Sequence, residues 1–70
     1  MTYEEMAILT FLKSRPESFV GRREIARKAL RRVDFEEDPH WVDAPLASLM
    51  DQRLVEQDES GHYRLRKQAW

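Results

Sequence analysis

Apolar positions along the chain fall into three runs at helical spacing and then one run that alternates. Met6, Ile8, Leu9, Phe11 and Leu12 make the first, with Ile8, Leu9 and Leu12 on one stripe and Phe11 toward its flank. Just upstream, Thr2-Tyr3-Glu4-Glu5 has the Thr-x-x-Glu spacing of a capping box, in which hydroxyl and carboxylate each satisfy a free backbone N–H at a helix start. Ser14-Arg15-Pro16 supplies the stop, because proline has no N–H to continue a helix. Ile25, Ala26, Ala29 and Leu30 recur one turn apart on a single face and predict a second helix, with Gly21 as an acceptable cap and Glu24 at the third helical position. Its alanines permit close approach of another helix.

Val42, Leu46 and Leu49, at i, i+4 and i+7 with Met50 flanking, predict a third helix ending near Asp51-Gln52. Its start is open to two readings. Asp38-Pro39 has the form of an N-cap and a first-position proline, but Pro45 then falls mid-helix at a cost of ~3 kcal/mol. Alternatively Asp43 caps a shorter helix that begins at Ala44 and keeps Pro45 in its tolerated first turn. The expectation is a helical turn over 39–42 and a kink or restart near 43–45. Beyond it, Leu54-Val55-Glu56-Gln57 and His62-Tyr63-Arg64-Leu65-Arg66 flank Asp58-Glu59-Ser60-Gly61. The second of these alternates, with Tyr63 and Leu65 inward, so the pair predicts a β-hairpin. Phe19-Val20, between Pro16 and Gly21, is too short for a free strand but long enough to pair with a strand of that hairpin.

The 70 residues allow one domain, and a chain this short buries only roughly 60% of the surface exposed when unfolded. With 41% hydrophobic and 36% charged residues, two Gly and three Pro, the composition is that of a folded chain. The absence of cysteine excludes disulfides, thiol nucleophiles and thiolate zinc fingers. Glu4 and Glu5 stand where a secretory signal needs basic residues, and no apolar run approaches the ~18 residues of a membrane span. A cytoplasmic protein without a membrane partner is expected.

A net charge of −1 conceals a strong segregation. Residues 21–32 hold six basic side chains against Glu24 alone, whereas residues 33–52 hold six carboxylates and no Lys or Arg. Residues 61–70 return to positive through Arg64, Arg66 and Lys67. Positive and negative surfaces on opposite sides are expected if these blocks fold onto separate faces.

The run Val42-x3-Leu46-x2-Leu49-x4-Leu54-Val55, followed by Gly61-x-Tyr63-x-Leu65, resembles the third helix and wing of bacterial winged helix-turn-helix transcriptional regulators, such as the multiple-antibiotic-resistance repressor class. Ile8-Leu9-x2-Leu12 and Glu24-Ile25-Ala26 resemble that family's first and second helices. The resemblance covers about residues 6–66, mainly core positions. It implies an α+β, mainly α, winged helix: a three-helix bundle with a short strand and a C-terminal two-stranded hairpin wing, one domain over 1–66 with a tail over 67–70. Two departures stand out. Arg53 occupies the place where the family commonly has a glycine before the first wing strand, which implies a different cap at the end of the third helix. The connection Val33 to Asp38 also exceeds the three or four residues of a helix-turn-helix turn.

The resemblance further implies duplex DNA as partner, with the third helix in the major groove and the wing on the backbone. Here the third helix offers His40, Asp43, Ala44, Ala47, Ser48, Asp51 and Gln52, of which only His40, Ser48 and Gln52 can donate to base edges. The expected DNA contacts are therefore Arg22, Arg23, Arg27, Lys28 and Arg31 of the second helix, Ser48 and Gln52 of the third, and His62, Arg64 and Arg66 of the wing. The competing reading is a solvated face whose arginines pair with the neighbouring acidic loop. That loop, Asp34 to Trp41, suggests a second function: contact with another protein, or a homodimer, through Phe35, Trp41 and Trp70. Trp41 and Phe35 can equally cover the core.

Catalysis and bound cofactors are not expected. Ser14, Ser18, Ser48 and Ser60 lack a nucleophile elbow, His62 sits beside a hairpin turn, and there is no phosphate-binding glycine loop. Asp38 and His40 stand in no metal-ligand spacing.

Overall fold

The computed structural model describes residues 1–30 and 39–67. Helix α1 (Tyr3–Lys13) starts on the capping box: Glu5 N donates to Thr2 Oγ1 at 3.1 Å, and Thr2 N donates to Glu5 Oε1 at 2.8 Å. It ends at Ser14, whose hydroxyl donates to the Phe11 carbonyl at 2.6 Å. Helix α2 (Arg22–Lys28) starts after Gly21 with Glu24 in its first turn. A 3-10 turn (Pro39–Val42) leads into α3 (Asp43–Asp51), and β1 (Val55–Gln57) and β2 (Tyr63–Leu65) close the chain as an antiparallel pair.

The order turn, break, helix answers the open question at residues 39–45. Pro45 lies in the first turn of α3, where its missing N–H has no intrahelical acceptor to lose. Asp43 is not the cap. Val42 flanks the helix without a side-chain cap bond, and Asp43 is its first residue.

The end of α3 departs from expectation in a second way. Arg53 does not bring a different cap: it adopts φ +61°, the left-handed conformation a glycine would take. Arg53 N donates to the Met50 carbonyl and Leu54 N to the Leu49 carbonyl, each at 3.0 Å. These are the paired bonds of a Schellman motif, so the motif forms with an arginine at its strained position.

In the hairpin, Val55 pairs with Leu65, Glu56 with Arg64 and Gln57 with Tyr63. Asp58 Oδ1 accepts from Ser60 N at 3.0 Å and His62 N at 2.8 Å, and Gly61 takes φ +87°. The Phe19-Val20 expectation also holds: Val20 N donates to Tyr63 O at 2.7 Å and Tyr63 N to Val20 O at 2.8 Å. Strand β2 is thus held by β1 on one edge and by Val20 on the other, which ties the hairpin to the segment entering α2.

Ile8 and Leu12 of α1, Ile25 and Ala26 of α2, Val42, Leu46 and Leu49 of the third-helix region, and Val55, Leu65 and Val20 of the extended segments form one core. Leu9, Phe11, Ala29, Trp41, Leu54 and Tyr63 pack around it. The described residues are therefore a mainly helical α+β arrangement around one apolar interior. Among them, no helix is long and apolar enough to cross a membrane.

Candidate functional site

The basic face expected on α2 is divided in the structure. Arg22 Nη1 donates to Asp43 Oδ1 at 2.9 Å and lies 3.2 Å from His40 Nδ1, joining the starts of α2 and α3. The guanidinium holds the Asp43 carboxyl below its ordinary range. Lys28 pairs with Glu24 at 3.3 Å, and Glu24 also receives Arg15 at 3.2 Å. Arg23 and Arg27, by contrast, are exposed and make no ion pair among the described residues. They stand one turn apart on α2, and Arg31 lies outside the described residues.

Positive and negative blocks accordingly do not fall on fully opposite sides. Arg22 of the basic block touches Asp43 of the acidic one, because the 3-10 turn brings the two helix starts together. Residues 34–38 of the acidic loop, Phe35 among them, lie outside the described residues, as do the rest of the Val33 to Asp38 connection and Trp70.

In the hairpin, Arg64 is pinned rather than free. Its guanidinium bonds Glu56 through Nε at 3.0 Å and through Nη2, and it stacks 4.3 Å from the Phe19 ring centroid. His62 is half-exposed beside Asp58 at 3.7 Å. The Val20–Tyr63 pairing brings it against Gly21, where an added Cβ would meet His62 Cδ2 at 3.2 Å. The hairpin turn therefore adjoins the start of α2, and a side chain larger than glycine would press them apart. Arg66 is half-buried, with its N–H on the Leu54 carbonyl at 3.0 Å, and Lys67 is exposed.

Ser48 and Gln52, expected to face a base edge, turn instead onto α1. Ser48 Oγ donates to Glu5 Oε2 at 2.7 Å, and Gln52 Nε2 donates to the same oxygen at 3.0 Å. Glu5 is only 5% exposed, yet these bonds and that from Thr2 N, the largest contribution, hold its carboxyl at about 2 against a usual 4.5. Its charge is held by neutral donors, with no cation paired to it among the described residues. Sequence reasoning took Glu5 only as a capping residue, but its spacing carried a signal. Glu5, Ile8 and Leu12 stand at i, i+3 and i+7, so the carboxylate occupies the apolar stripe itself.

Trp41 packs against the core, and its Nε1 donates to the Ala26 carbonyl at 3.1 Å, one of the last four of α2. The indole thus satisfies an acceptor left open by the helix end. The solvent side of α3 presents Asp43, Ala44, Ala47, Met50 and Asp51. Among the described residues no three His, Asp or Glu side chains converge to hold a metal ion. Comparison with protein-family models, curated proteins and solved structures finds no match to this chain.

Proposed function

We propose that this chain is a winged helix domain that binds duplex DNA through the solvent face of α2 and the adjoining hairpin. Support for the winged helix comes from the helix, short strand, helix, helix, hairpin order and from β2 lying between β1 and Val20. The observation that carries DNA binding is the pair of exposed guanidiniums at Arg23 and Arg27, which make no ion pair among the described residues, next to a hairpin that the Val20–Tyr63 bonds hold against the start of α2. Unpaired cations release counterions from a phosphate backbone without first breaking a protein ion pair. Docking is then by backbone contact more than by base reading, because α3 presents carboxylates and small apolar groups to solvent.

Fluorescence anisotropy with a mixed-sequence duplex tests this. Binding is expected at low salt and should weaken steeply as salt rises. Arg23→Glu with Arg27→Glu should weaken it uniformly across sequences and reduce the log–log salt slope by about 2, near one unit per lost phosphate contact. Absence of binding at low salt, or binding indifferent to salt, sinks the proposal.

A second reading draws on the same α3 surface. Asp43, Ala44, Ala47, Met50 and Asp51 form a face better suited to another protein than to DNA, with Met50 36% exposed. Light scattering across concentration distinguishes a self-associating chain from a monomer.

A further inference from the structure

Between the start of α1 and the start of α3 lies an open cavity of about 440 Å³, lined by Glu4, Glu5, Trp41, Ala44, Pro45 and Ser48 together with Thr2. Its size falls among small-ligand pockets. Trp41, Ala44 and Pro45 supply apolar wall, two adjacent carboxylates supply charge, and none of these lining residues is Lys, Arg or His.

The two carboxylates differ from the other acids engaged in this fold. Glu24, Asp43, Glu56 and Asp58 each stand within ion-pair distance of an Arg, Lys or His. Among the described residues Glu4 and Glu5 have no such partner, and the donors on Glu5 (Thr2, Ser48 and Gln52) are all neutral. Among the described residues, therefore, no cation pairs with the negative charge at the cavity wall. Because Glu5 is 5% exposed, its field is screened less by water and salt than that of a surface carboxylate. An anion is repelled here, and a neutral apolar molecule gains nothing from the carboxylates. A cation carried on a carbon body gains from both walls, since an indole beside carboxylates attracts a poorly hydrated positive charge.

We propose that this cavity binds a small organic cation of the alkylammonium class, with Glu4 and Glu5 supplying the attraction and Trp41, Ala44 and Pro45 the contact for its carbon body. The site is lined from α1, the 3-10 turn and α3, includes neither Arg23 nor Arg27 among its lining residues, and does not depend on DNA binding.

Choline serves as the probe, with its uncharged carbon isostere, in which tert-butyl replaces the trimethylammonium head, as control. Titration followed by NMR should give saturable shifts at the Trp41 indole N–H and the Ala44 and Ser48 amides with choline, and none that saturate with the isostere. Glu4→Gln should weaken choline binding about fivefold, the scale of one partly exposed charge contact. Glu4 makes no side-chain hydrogen bond among the described residues, so this variant keeps the fold, which an unchanged amide spectrum elsewhere verifies. The proposal is overturned by no saturable shift with choline, by an equal response to the isostere, or by unchanged affinity in Glu4→Gln.

Discussion

Glu5 concentrates more consequence than any other side chain described. It closes the capping box of α1, accepts the Ser48 and Gln52 side chains of α3 and forms part of a cavity wall. Its carboxyl is lowered in the folded chain to about 2 from a usual 4.5. A lowered acid stabilises the fold above its unfolded value and loses that contribution as pH falls toward its folded value. The melting temperature of the wild type should therefore fall between about pH 4.5 and pH 2, with the Glu5 contribution present in full above that window. In Glu5→Gln, which keeps a capping-box acceptor, thermal melts by circular dichroism should show a lower Tm at neutral pH and a shallower decline through the same window. An equal slope in wild type and variant would remove Glu5 from this role. The stripe position of Glu5 was visible in the sequence, but the identity of its donors was not. Ser48 and Gln52 lie more than forty positions away along the chain, and only packing of α3 on α1 brings them within reach.

Among the elements, α3 combines what periodicity anticipates with what it leaves open. Val42, Leu46 and Leu49 announced an apolar face, and Pro45 announced a break before it; both stand in the structure. The manner of ending was not legible. Arginine before the hairpin argued for a new kind of cap, whereas the chain keeps the Schellman bonds and holds Arg53 at φ +61°. Burial of Leu49 and Val55 on either side holds the turn in place and lets the strained residue persist. Arg53→Gly should relieve the strain and stabilise the domain by about 0.5–1 kcal/mol net of the added chain entropy, a rise of a few degrees in Tm. Thermal melts of the two proteins compare this directly, and an unchanged or lower Tm would mean that the arginine side chain contributes more than its backbone costs.

Across the whole molecule, one small interior must hold three helices and a hairpin. A domain of this length has about 4–10 kcal/mol of stability in all. Leu49 is fully buried, and Leu49→Ala should cost about 2–5 kcal/mol. The variant should accordingly be largely unfolded near physiological temperature, giving a lower urea midpoint and a loss of dispersed amide shifts. Retention of wild-type stability would mean that the core is not shared as described.

The order of elements, the inward residues and the attachment of Val20 to the hairpin were all written in the chain, because apolar periodicity and turn chemistry act between near neighbours. The fate of the charges was not. Which arginines remain available depends on what the fold brings beside them. The 3-10 turn carries Asp43 to Arg22, strand pairing sets Glu56 against Arg64, and α2 leaves Arg23 and Arg27 facing water. An apolar side chain needs only to leave water, so spacing alone assigns it a side; a charge takes its meaning from a partner a few ångströms away, and folding chooses that partner.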